Sequence, residues 1–523
     1  MSSDASTLPL RDAPVGSPRA GRQSLRGRIG ALARSQERAR VAAACLLAIV
    51  ACSVFVVVMA ANRPSILSAT THANYFPHWM AGPLGGLLPG LTRNGTTLKY
   101  LFSGAIVVMY LAYVLALAYV PRLRARWAIA TVLFVHAVFL LAPPLALTDI
   151  FNYINYGRME VVHNLNPYTS IPILEPHNDP SYDLSNWHQL LSPYGPLFTL
   201  LTFAVVPLGV AASFWVLKGL LALFSLGTLF LVWKCARLLG RDPVTAIVLV
   251  GLNPIVLVWG LGGDHNDFLM VFFIVLGFYL LLRTRDRLGA RDSDEAADGE
   301  HERPHTGLRG WILPLCAAEI GAGAAFVTAA AIKASGGVLI PVVLAGLVRA
   351  PRRLAQVAIG MACAAAATAV VSLSAFGLHI PDLSTQSRLV TNVSVPNLIG
   401  LALGQGGETE SLHLLLSAAL LVCVALCCMQ AWRRRGPITA SGWAGVALLV
   451  TLSWVLPWYV LWVLPMAALS SSRRLRVAAL VLGVYLIVAW APASGQLWNA
   501  IGFHPEKTSL GRLHQRYVKE LLN

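Results

Sequence analysis

Apolar runs near 20 residues long recur from Val41 to the region of Trp490, punctuated by short arginine clusters. This feature constrains the chain more than any other. A bilayer core needs about 20 apolar residues of helix to cross it. In lipid the backbone must satisfy its own hydrogen bonds, so the runs predict helices. Roughly eleven to fourteen of them imply an all-α, multispanning membrane protein. Composition agrees, with 56% hydrophobic and only 12% charged residues among 523. The net charge of +16 would suggest nucleic acid if it lay on a soluble domain. Instead it flanks apolar runs, at 121–126, 234–241, 349–353, 432–435 and 471–476. That is the cytoplasmic signature of a membrane protein, and it leaves no basic domain for nucleic acid to bind.

These clusters fix an expected topology. Residues 1–40, rich in Arg, Ser and Gly, read as a disordered basic cytoplasmic tail. The run 41–61 is too long for a signal-peptide core and reads as the first retained span. One transmembrane domain is expected over 41–492, interrupted by a flexible cytoplasmic loop at 283–309. An amphipathic tail follows at 493–523, its side left open. The spans expected at 100–120 and 127–147 place Asp149 outside, and the span 244–261 delivers Gly262–Asp267 to that same face. Lys333 and the segment 379–397 fall there too. The eight cysteines lie in or beside apolar stretches and read as small core residues. The two halves show no obvious repeat, so the inverted symmetry of many transporters is not supported.

Polar residues on one face of a membrane protein are the candidates for chemistry. After the third span the chain reads LTDIFNYINYGRMEVVHNLNPYTSIP, Leu147 to Pro172. In a helix, Asp149, Asn152 and Tyr156 share one side, and Tyr153 and Asn155 lie beside them. A carboxylate among hydrogen-bonding groups suits a polyol; an interfacial aromatic belt is the plainer alternative. GGDHND, Gly262 to Asp267, offers Asp264 and Asp267 as a polar wall with His265 near a phosphate. The same residues also suit a helix start, and Asp264, His265 and Asp267 are a possible but unspecific divalent-cation set. No cofactor is otherwise expected. Lys333 sits in apolar sequence, where it either snorkels or meets an anion. Arg388 is a second phosphate candidate. Pro457–Pro465, PWYVLWVLP, is either a membrane-edge belt or a stacking platform for sugar.

Taken in order, these motifs resemble those of the actinobacterial polyprenol-phosphate-mannose-dependent α-(1→6)-mannosyltransferases, of the glycosyltransferase C superfamily. The residues are Asp149, Phe151, Tyr153 and Gly157; Asn166–Tyr168; Pro193–Pro196; Asn253–Pro254 with Gly262–Asp267 and Met270; Lys333–Ala334; and Pro457–Tyr459. The likeness covers about 127–470, and order and spacing carry it rather than any single motif. Phe151–Asn152 stands where the family leads one to expect Tyr-Ser. The resemblance implies a bundle with an extracytoplasmic catalytic face, a polyprenyl-phosphate-mannose donor from the membrane and a mannan or lipoglycan acceptor. It implies inversion, with Asp149 as general base and Lys333 at the leaving phosphate. On the residues alone Asn152, Tyr153, Tyr156, Asp264 and Asp267 are sugar or acceptor contacts, and His265 and Arg388 join Lys333 at the phosphate. The alternatives are a transporter or flippase of a lipid-linked glycan, a non-catalytic scaffold, or transfer of an arabinosyl or glucosyl unit.

Overall fold

A computed structural model describes residues 18–62, 71–73, 76–87, 94–120, 124–297, 317–434 and 436–522. Within these, side chains are described from residue 36 onward, except over 285–297. Residues 1–17 of the expected tail, Tyr75, and 298–309 of the expected hydrophilic loop lie outside the described residues.

All regular secondary structure of the described chain is helical, and no strand occurs among the described residues. Six of its helices are long and apolar enough to cross a membrane unaided: Gln36–Ala61, Gly95–Tyr119, Val210–Leu238, Asp267–Thr284, Pro351–Phe376 and Glu410–Arg434. Arg473–Trp490 joins them if its continuation, bent by 79° into Ser494–Ala500, counts with it. Six shorter apolar helices fill the bundle between them: Ala125–Leu140, Pro196–Leu208, Ala317–Ile332, Ala334–Leu347, Pro437–Thr451 and Pro457–Leu469.

Several runs expected as single spans are therefore broken, and proline explains where. The third run stops at Leu140, ahead of Pro143–Pro144, instead of continuing to Leu147. The run 244–261 divides at Asn253–Pro254 into Pro243–Gly251 and a π-helical turn, Val256–Leu261. Proline removes a backbone donor and clashes with the preceding turn, but it suits a first helical position. It occupies that place in Pro196–Val205, Pro243–Gly251, Pro351–Phe376, Pro437–Thr451 and Pro457–Trp462. Non-helical backbone at membrane depth is tolerated only where protein buries it or a cavity takes it. In the other direction, the first helix begins at Pro18, not after Arg40. Its Arg, Ala, Leu and Gln content favours helix in any setting.

Close packing of small residues holds the centre of the bundle. Ala317–Ile332 lies between Asp267–Ala297 and Pro351–Phe376. At this contact a Cβ on Gly323 would stand 2.0 Å from the Val357 carbonyl oxygen, and one on Gly360 would stand 1.9 Å from that of Ile320. Two glycines facing each other's backbones let helices approach closely where lipid supplies no hydrophobic drive. At one end of this trio Arg353 ties Glu319 to the Leu281 carbonyl.

The opposite end carries the polar constellations. Leu145 N–H donates to the Gly262 carbonyl at 2.7 Å, Gly195 N–H to that of Ile332 at 3.1 Å, and the Asn166 amide to that of Phe376 at 3.0 Å. The segments around 149–168, 262–267, Lys333 and 376–397 are thus joined directly. The C-terminal helix, Ser509–Leu522, lies on this same end. Its Leu521 carbonyl accepts from Gln189 N–H at 3.1 Å, and Tyr517 Oη donates to the Thr385 carbonyl at 3.2 Å.

Candidate active site

A cavity of about 330 Å³ opens at this end. Asp149, Tyr153, His265, Lys333, Gln386 and Trp458 are among the residues around it. Its size is within the range of small-ligand sites.

Asp149 begins the helix Asp149–His163, where an acid is favoured by the helix dipole. Its side chain is 16% exposed, enough to reach the cavity. Oδ2 accepts from His265 Nδ1 at 3.0 Å. The imidazole in turn lies flat on the Trp458 indole, with ring centroids 3.4 Å apart and planes 8° apart. Its Nε2 is buried and has no protein partner. The turn that presents His265 is itself constrained. A Cβ at Gly263 would meet the Trp259 carbonyl at 2.2 Å and His265 Nε2 at 2.7 Å, so only glycine fits. Asp264 adopts φ 59°, a conformation Asp tolerates better than most residues.

The three ionisable residues of GGDHND turn to three different partners. Asp264 is fully buried and bonds Lys218 Nζ at 2.7 Å. His265 faces Asp149. Asp267 accepts from Lys333 Nζ at 2.8 Å and from the Trp462 indole at 2.6 Å. Asp264 and Asp267, expected as sugar contacts, are therefore behind the cavity wall, and neither lines it. No cluster of three metal-ligating side chains occurs among the described residues.

Lys333 occupies the break between Ala317–Ile332 and the 3₁₀ turn Ala334–Leu339. Its side chain is 19% exposed. The ammonium lies 5.1 Å from the Tyr459 ring centroid and 5.7 Å from that of Trp462. Asp267 takes one of its three N–H donors. Arg388 is exposed and does not line the cavity, although its neighbours Ser387 and Leu389 do.

Asn152, Tyr153 and Tyr156 all line the cavity; the two tyrosine hydroxyls and Asn152 Oδ1 are engaged, while Asn152 Nδ2 is buried without a protein partner. Asn152 Oδ1 accepts from Asn186 and Trp187 N–H, at 3.0 and 3.4 Å. Tyr156 Oη donates to the Leu190 carbonyl at 2.8 Å, and Tyr153 Oη accepts from Asn266 N–H at 3.3 Å. The ring of Tyr153 meets Tyr194 and Phe198 edge-on, at 4.9 and 4.8 Å. These residues anchor the loop that roofs the site.

That loop is organised by Asp179. It accepts two bonds from Arg158, at 2.9 and 2.8 Å, and others from His163, Ser181 N–H and Ser181 Oγ. Burial alone would raise the carboxyl, but the Arg158 contact and its companions outweigh this and hold it well below the usual carboxylate range. Nearby Glu175 is buried, with both carboxyl oxygens unpartnered. Burial, then the Asp179 charge, pushes it up to about 8.

Sequence reasoning missed Lys218, and it marked Trp462 only as part of the aromatic run Pro457–Pro465, not as a partner of a carboxylate. A signal existed for the first: one lysine inside an apolar helix needs an anion or an exit to water. The indole–carboxylate bond of Trp462 left no comparable mark.

Fold and cavity together define a multi-pass membrane protein whose helix ends converge on a carboxylate–imidazole pair. Residues 50–350 match the family model described as "Alpha-(1->6)-mannopyranosyltransferase, N-terminal domain", and residues 390–505 match the "MptB C-terminal domain". The chain belongs to this α-(1→6)-mannopyranosyltransferase family. It is 28% identical over 388 residues to alpha-(1->6)-mannopyranosyltransferase A of Mycobacterium tuberculosis, covering 68% of each chain. It is 29% identical over 371 residues to alpha-(1->6)-mannopyranosyltransferase B of Corynebacterium glutamicum, covering 64% of this chain and 57% of that one. No solved structure matches.

Proposed function

We propose that the protein transfers a mannosyl residue from a polyprenyl-phosphate carrier to a hydroxyl of a mannan or lipoglycan acceptor, on the extracytoplasmic side of the membrane. The observation that carries this reading is Asp149: a carboxylate open to the cavity and oriented by His265, which itself rests on Trp458. Asp149 accepts the acceptor's proton as its oxygen attacks the anomeric carbon. The bond from that carbon to the phosphate oxygen breaks, and the phosphate leaves with the electron pair. One displacement inverts the anomeric centre. The hydrogen bond from His265 Nδ1 fixes the carboxylate's orientation, which positions it before the reaction begins. Lys333 stands in the same cavity to meet the departing phosphate. Asp267 and Trp462 hold that ammonium in place. The arginine clusters beyond the other helix ends support the assigned side.

The test uses purified protein in liposomes, labelled polyprenyl-phosphate mannose, arabinose and glucose, and a synthetic α-mannoside. The expected result is a new mannoside, made from the mannosyl donor and lost with Asp149→Asn. Movement of intact labelled lipid across the bilayer without a glycosidic product would overturn the reading in favour of a flippase.

A further inference from the structure

A second cavity, of about 580 Å³, adjoins the first. The two share Trp454 as a wall. The Trp454 ring meets that of Trp187, a residue of the first cavity, edge-on at 6.2 Å. Beyond this junction Trp490, Trp498, Asn392, Gln515 and Lys519 surround the second space. Trp490 Nε1 is a buried donor with no protein partner. The far wall is the C-terminal helix Ser509–Leu522, pinned through Leu521 and Tyr517 to the loops beside the first cavity.

This lining has a particular chemistry. A pyranose ring offers an apolar C–H face, which packs on an indole, and a rim of hydroxyls, which need amide and N–H partners. Tryptophans interleaved with Asn392, Gln515 and the Trp490 N–H supply both. An acyl chain would cover the indoles but leave the buried Trp490 N–H without a partner, at a cost.

We infer that the second cavity binds the sugar units of an oligosaccharide acceptor that precede its reacting hydroxyl, so that a growing chain is held while its end reaches Asp149. This rests on the transferase reading above and adds a length preference to it.

The experiment compares kcat/KM for a monosaccharide mannoside and for oligomannosides of increasing length, in wild type, Trp498→Ala and Gln515→Ala. Wild type should prefer the longer acceptors. Each variant should lose roughly 3–10-fold on them, from aromatic or hydrogen-bond contacts near 1 kcal/mol, and stay within about twofold on the monosaccharide. Equal loss on both acceptors, or no length preference in wild type, overturns the inference while leaving the transferase reading intact. A second arm measures quenching of tryptophan fluorescence by unreactive oligomannosides without donor. If no donor tried supports transfer, quenching that grows with length and falls in Trp498→Ala still supports the site, and its absence overturns it. Native mass spectrometry that finds a phospholipid released by Trp498→Ala, with no glycan bound, also overturns it.

Discussion

Replacing Lys218 with methionine probes the framework under the candidate site. Lys218 and Asp264 each have 1% side-chain exposure and meet at 2.7 Å. Lys218 lies on the long apolar helix Val210–Leu238, and Asp264 immediately precedes His265. Lys218→Met preserves length and removes the charge. Asp264 is then left buried without its counter-ion, and breaking such a pair costs about 3–5 kcal/mol. The half-life of irreversible inactivation at fixed temperature is the assay, since kinetic stability governs such proteins. With half of the loss expressed in the unfolding rate, the half-life shortens by roughly 10-fold or more. The sign with pH follows from the stranded carboxyl. Burial already holds the Asp264 carboxyl above its ordinary value even beside Lys218; loss of the ammonium raises it further, so the mutant is most stable below the ordinary carboxyl range. It loses that stability as pH rises through the raised value. Adding Asp264→Asn removes the titrating charge, so the double variant should recover much of the half-life and lose the pH dependence. A Lys218→Met protein as durable as wild type, or a double variant no better than the single, refutes the reasoning.

Asp149→Asn keeps an oxygen for His265 and removes proton acceptance; transfer should fall roughly 10²–10⁴-fold with unchanged thermal inactivation, measured on liposome-embedded protein. Lys333→Met should weaken use of short-chain and long-chain donors alike, by roughly 10–200-fold from a charge-assisted contact of about 1.5–3 kcal/mol; equal kinetics in wild type and variant would assign the lysine a structural role with Asp267. Glu175, at about 8 in the folded protein against an ordinary 4.5, stabilises the roof loop fully below that ordinary value and loses its contribution as pH climbs through 8. Limited proteolysis of this loop should therefore accelerate from about pH 5 to about 8 in wild type, level off above that, and stay flat in Glu175→Gln. A reporter fused within 283–297 should report cytoplasm, and an extracytoplasmic signal would detach the proposed chemistry from its assigned side.

The sequence was informative where one residue type has few inexpensive options. Lys333 in an alanine-rich setting required an anion or water, and it meets both, with Asp267 on one side and the cavity on the other. Asp149, read from its place at the end of an apolar run as a residue of the water edge, lines the cavity, where a carboxylate finds a polar space. The carboxylates of GGDHND were harder to place. Their spacing fits a ligand site, but spacing does not say which way each side chain turns. Asp264 faces Lys218 and Asp267 faces Lys333 because a buried lysine of another helix and a partly exposed lysine at a helix break offer them counter-charges. Span boundaries suffered similarly. Hydropathy sums through Pro143–Pro144 and Asn253–Pro254 without registering that the backbone must stop there. Arg388 was read from charge alone, and its exposed position shows that a nearby cation need not face the cavity.

The three-way contact at Asp267 sets an order of events for a nascent chain. Lys333 lies 66 residues after Asp267 in the chain, and Trp462 lies 195 residues after it. When the helix beginning at Asp267 enters the bilayer, neither partner has yet been synthesised. The carboxylate must wait at the headgroup boundary, hydrated or protonated, because an ionised group without a partner is costly in hydrocarbon. The lysine then supplies charge balance, and the indole locks the remaining oxygen much later. A ribosome stalled after Lys333 has emerged and inserted but before Trp462 has been made would therefore leave an inserted intermediate with its salt bridge made and its tryptophan clasp missing.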